Sequence, residues 1–252
     1  MGLNKPKRKT PPSTIYSKEY FFFDGHQDSY SRGILAPEYR EVLGHLEAKS
    51  NEAILDIGCG RGELVNECRK LGADVIGVDY SQAAVKISKE TLNEGIIVRA
   101  SASDLPFRNG TFDKIILHAV LEHLDQGDTL KCVREMGRVL KLEGIVLIQT
   151  ANKWEKLLSP LHDLHNLLFP KQRLNPKERY YLKVTHVNAP SPISLKRMFR
   201  KEGFDVEIWF STPKRGETAL WKVIIYRMLF FTLPLWAIAC KRRSWQSCEF
   251  TK

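Results

Sequence analysis

Residues 54–64 constrain the fold most, because an apolar run of strand length leads into three glycines at alternate positions, Gly58, Gly60 and Gly62. A helical pattern begins directly after them. This arrangement is typical of a nucleotide-type loop between a parallel strand and a helix, where glycine lets the backbone approach a ligand closely. In a dinucleotide site a further glycine would replace Glu63. A carboxylate there would repel a pyrophosphate at the helix N-terminus, so the loop indicates another ligand.

Three further segments follow this loop in a set order. Residues 75–79 are a second apolar run that ends in an acid, and residues 102–107 read Ala-Ser-Asp-Leu-Pro-Phe. Residues 111–124 contain another apolar run followed by Ala-Val-Leu-Glu-His-Leu. Together the four segments, which lie between about residues 50 and 150, resemble the class I S-adenosylmethionine (SAM) methyltransferases.

The resemblance implies a SAM site at the ends of the first four strands. It gives Asp79 the role of binding both ribose hydroxyls, for which a carboxylate offers two acceptor oxygens. It also implies that Asp104 faces the adenine amino group. Cys59 is expected within the loop because it is small. The predicted cofactor contacts are Asp56, Gly58, Cys59, Gly60, Gly62, Asp79, Tyr80, Ser103, Asp104, Leu105 and His118.

Three histidines are candidate catalytic residues. Methyl transfer from a sulfonium needs alignment of donor and acceptor, and it needs a general base only if the acceptor loses a proton. His118 and His123 lie at the end of the fourth strand, and His186 lies in a Thr-His-Val-Asn segment that relatives share in similar form. A capping or packing role remains an alternative for each of them, and Glu122 remains open as a surface acid.

No metal site is predicted from the sequence. His162, Asp163 and His165 have a spacing that could bind a metal, but they have no further ligands nearby in the sequence and are interpreted as a solvated face.

Strands that alternate with helices predict an α/β fold: a doubly wound, seven-stranded, mostly parallel Rossmann-like sheet with an antiparallel last strand at its edge. Ser81 and Asp128 are predicted to cap helices, and Ser191-Pro192 to start another. The helices before and after the second strand are expected to end near Gly72 and Gly95. The predicted first helix is 37–49, and the predicted strands are 53–57, 74–78, 96–99, 112–117, 144–150, 204–210 and 235–240.

The domain is predicted to span residues 15–243, between a disordered basic arm (1–14) and a tail (244–252). An insertion after strand five, residues 152–183, is interpreted as a lid over the acceptor or as an ordinary helical hairpin. An aromatic segment before the first helix resembles one that relatives fold over SAM, with simple packing as the alternative. Its members are Tyr16, Tyr20, Phe21, Phe22, Phe23 and Tyr30.

Charge and cysteine content bound the location of the protein. The net charge of +10 lies partly in the terminal segments and fits solubility, an anionic membrane surface or nucleic acid. The five cysteines form no C-x-x-C pair, which favours a reducing, cytoplasmic compartment without disulfides. An apolar helix over 217–232 is predicted to contact a membrane peripherally, with burial beneath the lid or a true span as alternatives.

These observations favour a SAM-dependent methyltransferase acting on an apolar small molecule, a quinone precursor or a lipid-linked acceptor. A nucleic-acid acceptor is not expected, because residues after the fourth strand lack the Asp/Asn-Pro-Pro-Tyr/Phe segment of enzymes that methylate base amino groups. An RNA or protein methyltransferase and a SAM-binding regulator without turnover remain the alternatives.

Overall fold

A seven-stranded sheet organises the part of the chain that the computed structural model describes, namely residues 9–22, 35–92, 95–153, 176–210 and 235–241. The predicted fold class is confirmed. The strands are β1 (Ala53–Ile57), β2 (Asp74–Asp79), β3 (Ile96–Arg99), β4 (Phe112–His118), β5 (Leu140–Thr150), β6 (Phe204–Phe210) and β7 (Leu235–Lys241).

The strand order is β3-β2-β1-β4-β5-β7-β6, and only β7 runs antiparallel to its neighbours. The antiparallel direction of the last strand is thus confirmed, but its predicted place at the sheet edge is wrong. β7 pairs with β5 on one side and with β6 on the other, so β6 forms the edge. The near-continuous apolar run of residues 235–240 is typical of such an interior strand, which is covered on both faces.

Six α-helices connect and cover the strands in the described residues. Ser81 and Ser191 cap helices as predicted, since each side chain accepts backbone N–H bonds from the first turn. The helices are α1 (Pro37–Leu46), α2 (Glu63–Lys70), α3 (Gln82–Thr91), α4 (Gln126–Val139), α5 (Pro176–Thr185) and α6 (Pro192–Lys201).

Four predicted boundaries are wrong. Asp125, not Asp128, caps α4: Asp125 has extended backbone and its Oδ1 accepts from the amides of residues 127 and 128, whereas Asp128 lies in the first helical turn. The first helix ends at Leu46 rather than at residue 49, because Glu47 turns into the left-handed region at φ 47°. α3 ends at Thr91, before Gly95, and β5 begins at Leu140 rather than at residue 144.

Each face of the sheet has its own buried core. Helices α4 and α6 cover one face, where Leu55 and Ile115 pack against Met136 and Phe199. Helices α1, α2 and α3 cover the other face, which includes Ile54, Ile116 and the buried Trp236. Alternate side chains of the strands therefore face the two helical layers. The carboxyl ends of β1, β2 and β4 meet at one open edge of the sheet.

Several predicted features fall outside the described residues. They are residues 154–175 of the predicted lid with His162, Asp163 and His165, the apolar segment 217–232, the tail 244–252, and Phe23 and Tyr30. Within the described ranges, no helix combines the length and apolarity needed to cross a membrane.

The cysteines differ in part from the prediction. Cys59, Cys68 and Cys132 are free and buried. Cys240 is disulfide-bonded, so the prediction of a chain without disulfides is wrong.

Candidate functional site

A cavity of about 480 Å³ opens at the carboxyl ends of β1, β2 and β4. Its wall combines the glycine loop after β1, the acid that ends β2, the turn after β3 and the residues that end and follow β4. This is where a doubly wound sheet binds its ligands. Of the predicted site residues, the cavity brings together Asp56, Gly58, Cys59, Gly60, Asp79, Tyr80, His118 and His123.

The glycine loop leaves no room for side chains at its first turn. Gly58 has φ 75°, and a Cβ there would lie 2.4 Å from Cγ2 of Val120. The amides of Gly58 and Cys59 both donate to the carbonyl of Val78, at 2.7 and 3.0 Å, so the loop is pinned to β2. Gly62 does not line the cavity; it precedes α2 and packs against α3. Burial raises the pKa of the Cys59 thiol, which fits a small, neutral side chain.

Asp79 joins the glycine loop to the start of α3. Its Oδ2 accepts from the amide of Gly60 at 3.0 Å, and its Oδ1 accepts from the amide of Ser81 at 2.7 Å. Burial raises the pKa of Asp79 to about 6, although these hydrogen bonds lower it. Each carboxylate oxygen accepts a second hydrogen bond without losing the first. The side chain therefore fits the two ribose hydroxyls for which the sequence analysis proposed it.

Asp56 supplies a second carboxylate, at the end of β1. It is buried, and its Oδ2 has no hydrogen-bond partner among the described residues. Burial, with Asp79 and then Glu63 nearby, raises the pKa of Asp56 to about 8. A positively charged donor in the cavity would satisfy this oxygen and favour its ionised form. SAM carries one such donor, its protonated amino group, and a second positive charge on its sulfur, so the carboxylate suits that cofactor.

A strap formed by residues 9–22 lies across the cavity. The Thr10 hydroxyl donates to Asp128 Oδ2 at 2.6 Å, and the Ser81 hydroxyl donates to the carbonyl of Tyr16 at 2.6 Å. Arg61 donates to the carbonyl of Phe21 at 2.9 Å. Residues 9–14, which were predicted to belong to a disordered arm, are thus held against the domain through Thr10.

The aromatic side chains of the strap line the cavity, as the resemblance implied. Tyr16, Tyr20 and Phe21 face it, and Tyr20 also meets the ring of Tyr181 on α5 at 5.2 Å between centroids. Phe22 lies 5.5 Å from the guanidinium of Arg61.

Arg61 is a site residue that the sequence analysis missed. Besides holding the strap, it forms an ion pair with Glu63 at 2.7 Å, so its charge is balanced inside the site. Its position between two glycines of the loop could have indicated that it belongs to the site.

His123 lies in the cavity wall, on the short turn that follows β4. Its Nδ1 lies 3.2 Å from the Tyr16 hydroxyl, and its ring meets that of His186 at 5.0 Å between centroids. Burial lowers the pKa of His123 to about 4, so the imidazole is neutral at physiological pH. His186 itself does not line the cavity, and it reaches the site through His123.

His118 lies deeper, at the last position of β4. Its ring packs 5.3 Å from that of Tyr39, and its Nε2 has no hydrogen-bond partner among the described residues. Burial lowers the pKa of His118 to about 4. The side chain is therefore a neutral part of the cavity wall with one unused ring nitrogen.

Glu122 is buried rather than a surface acid, which corrects that alternative. Its side chain is 3% exposed and accepts from the Thr150 hydroxyl at 2.7 Å and from the amide of Ala151 at 3.3 Å. Its backbone carbonyl accepts from the amides of Val187 and Asn188. The residue thus connects the turn after β4 to the segment that carries His186.

In the turn after β3, the residues that line the cavity precede the predicted ones in the chain. Ser101 and Ala102 line the wall, whereas Ser103, Asp104 and Leu105 do not. Leu105 is buried, and its amide donates to Glu135 Oε2 at 2.8 Å. The role of these three residues in cofactor binding, and that of Asp104 at the adenine amino group, stays a prediction.

Comparison with known proteins agrees with this geometry. The profile of a family described as a methyltransferase domain matches residues 55–148. An uncharacterised protein of Methanocaldococcus jannaschii is 31% identical over 214 residues, which cover 77% of this chain and 78% of its own length. The demethylmenaquinone methyltransferase of Staphylococcus aureus is 27% identical over 177 residues, which cover 66% of this chain and 73% of that enzyme.

A solved structure shows the same fold. The SAM-dependent methyltransferase of Archaeoglobus fulgidus, at 20% identity, superposes with a TM-score of 0.61 over 88% of this chain and 99% of that one. The fold, the family match and the relatives agree that this chain belongs to the class I SAM-dependent methyltransferases and is an enzyme that uses SAM.

Proposed function

We propose that the enzyme methylates a neutral, apolar acceptor that carries a hydroxyl group, such as a hydroxylated aromatic ring of the quinol class. The observation that carries the proposal is the contact between Tyr16 and His123, 3.2 Å from hydroxyl oxygen to Nδ1, in the wall of the cofactor cavity. The similarity to a demethylmenaquinone methyltransferase supports a quinone precursor as the acceptor class.

The electrostatics of this end of the cavity support a neutral acceptor. Tyr16, Tyr20 and His123 offer rings and neutral polar atoms. Among the described residues that line the cavity, Arg61 is the sole lysine or arginine, and Glu63 forms an ion pair with it. A phosphorylated or carboxylated acceptor would therefore find no uncompensated cation among the described lining residues.

The same pair supplies the proton chemistry that an alcohol or phenol needs. When bound, SAM supplies a methyl group on a positively charged sulfur, which leaves as a neutral thioether as the methyl bond to the acceptor forms. The acceptor hydroxyl becomes strongly acidic as its oxygen gains that bond. The neutral imidazole of His123 then accepts the proton, even though burial lowers its pKa, and Tyr16 keeps the ring oriented. His118 and His186 stay candidates for assisting roles.

The test uses purified protein, labelled SAM and a panel consisting of a reduced naphthoquinone, a catechol, total RNA and a protein extract. We expect label in the aromatic acceptors and a loss of about 10²- to 10⁴-fold in turnover for His123→Ala, with unchanged SAM affinity. Label confined to RNA or protein would overturn the acceptor class. Full turnover by His123→Ala would overturn the role of the histidine.

Contact of residues 217–232 with a membrane stays a prediction from the sequence. Flotation with anionic vesicles, followed by release in high salt, would test it.

A further inference from the structure

Three potential metal ligands converge behind the acceptor end of the cavity. Glu122, His123 and His186 each offer a ligand atom, and these atoms all lie within 4.8 Å of one another. The first two belong to the turn after β4, and the third follows α5. Glu122 and His123 are adjacent but lie far from His186 in the chain, so no local motif indicates the cluster.

The carboxylate of Glu122 is buried without a lysine or arginine partner among the described residues. Its described partners are the Thr150 hydroxyl and the amide of Ala151, and both are neutral. Across the described ranges, no lysine or arginine forms an ion pair with it. Glu122 is only 3% exposed, and buried carboxylates in proteins are usually paired with a cation or bound to a metal. A cation at this point would provide such a partner.

The backbone holds the cluster together independently of any ion. The carbonyl of Glu122 accepts from the amides of Val187 and Asn188 at 2.8 and 3.1 Å, and these residues directly follow His186. The segment that carries one ligand is therefore fixed against the turn that carries the other two. Such preorganisation is what a metal site requires of its scaffold.

We propose that Glu122, His123 and His186 bind a divalent transition-metal ion. Two imidazoles and one carboxylate form a donor set that suits Zn²⁺ and its first-row neighbours and leaves at least one position open, whereas Mg²⁺ and Ca²⁺ prefer oxygen ligands. A tetrahedral ion needs its ligand atoms about 3.4 Å apart, so the side chains close in slightly around it.

The inference rests on the acceptor class of the proposed function and changes the role of one residue, because a metal-bound His123 no longer acts as the general base. The site adjoins Tyr16, whose hydroxyl contacts His123. An acceptor hydroxyl in the open position loses its proton to water more readily, because the ion stabilises the resulting anion. In that case His123 acts as a ligand, and the ion activates the acceptor oxygen before it takes the methyl group.

The experiment titrates the chelator-treated full-length chain with Co²⁺ and with Zn²⁺, using visible absorption for cobalt and calorimetry for zinc. We expect one ion per chain and an absorption spectrum of cobalt bound by nitrogen and oxygen. His186→Ala and Glu122→Gln should each weaken binding by more than about 100-fold, beyond the usual cost of losing an outer-sphere partner. His45→Ala is the matched control, since His45 packs against Trp209 and Trp236 on α1's face of the sheet. Thermal unfolding identifies any variant that fails to fold. If either His186→Ala or Glu122→Gln fails, metal binding by the other variant tests the site.

The outcomes separate this inference from the proposed function. Equal binding by the wild type and His186→Ala, or no saturable binding, would overturn the metal site while His123-dependent methyl transfer could persist. Metal binding with no methyl transfer to any hydroxylated acceptor would overturn the proposed function and leave the site. We expect a chelator to reduce turnover, and we expect Zn²⁺ or Co²⁺, but not Mg²⁺, to restore it. Turnover that is unchanged by the chelator would overturn the role of the ion in the reaction.

Discussion

The two ends of the cavity are built from different chemistry. The cofactor end is made of backbone amides and two buried carboxylates, Asp56 and Asp79, whose pKa values are raised to about 8 and 6. The acceptor end is made of phenol and imidazole rings, and His123 is neutral because burial lowers its pKa to about 4. Under the proposed function, the carboxylates bind a cation by charge, and the ring-lined part binds a neutral acceptor by shape and hydrogen bonding.

The two ends also differ in how far apart their parts lie in the chain. Asp79 contacts the amides of Gly60 and Ser81, all within one strand-loop-helix region. The contact of Tyr16 with His123 spans 107 residues, and that of Thr10 with Asp128 spans 118. The contacts of Asp79 are therefore made between segments that are close in the chain, whereas those of Tyr16 and Thr10 depend on the position of the strap.

The strongest test of the contrast removes a charge from the cofactor end. Asp79→Ala should weaken SAM binding by about 100- to 10,000-fold, because two hydrogen bonds to a charged acceptor are lost at about 1.5–3 kcal/mol each. Calorimetric titration with SAM measures this. Asp74→Ala, at the exposed start of the same strand, is the control and should bind normally. Unchanged affinity in Asp79→Ala would remove the carboxylate from the cofactor site.

The same contrast explains how much of the site could be predicted from the sequence. The glycine loop and Asp79 are local, since their spacing encodes a backbone bend next to a strand end. Tyr16 with His123, and Glu122 with His186, could not be found in this way, because only the folded sheet brings them together.

The errors in the fold have an equally physical origin. Alternation of strands and helices predicted all seven strands, but strand order depends on pairing between β6 and β7 that no local pattern encodes. Two aspartates stand at the start of α4, and only backbone geometry decides that Asp125 rather than Asp128 is the cap.

A smaller effect, with a defined pH dependence, is expected at Asp56. In the folded protein this group keeps its proton up to about pH 8, whereas an unfolded aspartate loses it near pH 4. Unfolding therefore releases a proton between these values, and Asp56 lowers stability progressively as pH rises through that window. Asp56→Asn cannot ionise, so its stability advantage in the absence of SAM should grow from pH 4 to pH 8 and then level off.

Thermal unfolding of Asp56→Asn and wild type at pH 5, 7 and 9 measures this advantage. We expect about 1–3 kcal/mol at the upper end, or roughly 2–12 °C. The same variant should bind SAM about tenfold more weakly, since it lacks the negative charge. If Asp56→Asn were less stable than wild type at every pH, ionisation of Asp56 would not destabilise the folded protein, and this would contradict its assignment as a carboxylate that serves cofactor binding.

The smallest effect tests the acceptor end alone. Tyr16→Phe removes the hydroxyl that contacts His123 but keeps the ring in the strap and the carbonyl that accepts from Ser81. Loss of one neutral hydrogen bond costs about 0.5–1.5 kcal/mol, so turnover should fall by about 2- to 12-fold with unchanged SAM affinity. Tyr180→Phe, on an exposed ring of α5, is the control for the substitution itself. If Tyr16→Phe weakened SAM binding as much as turnover, the strap would serve the cofactor end as well, and the division of the cavity into a charged and a neutral half would not hold.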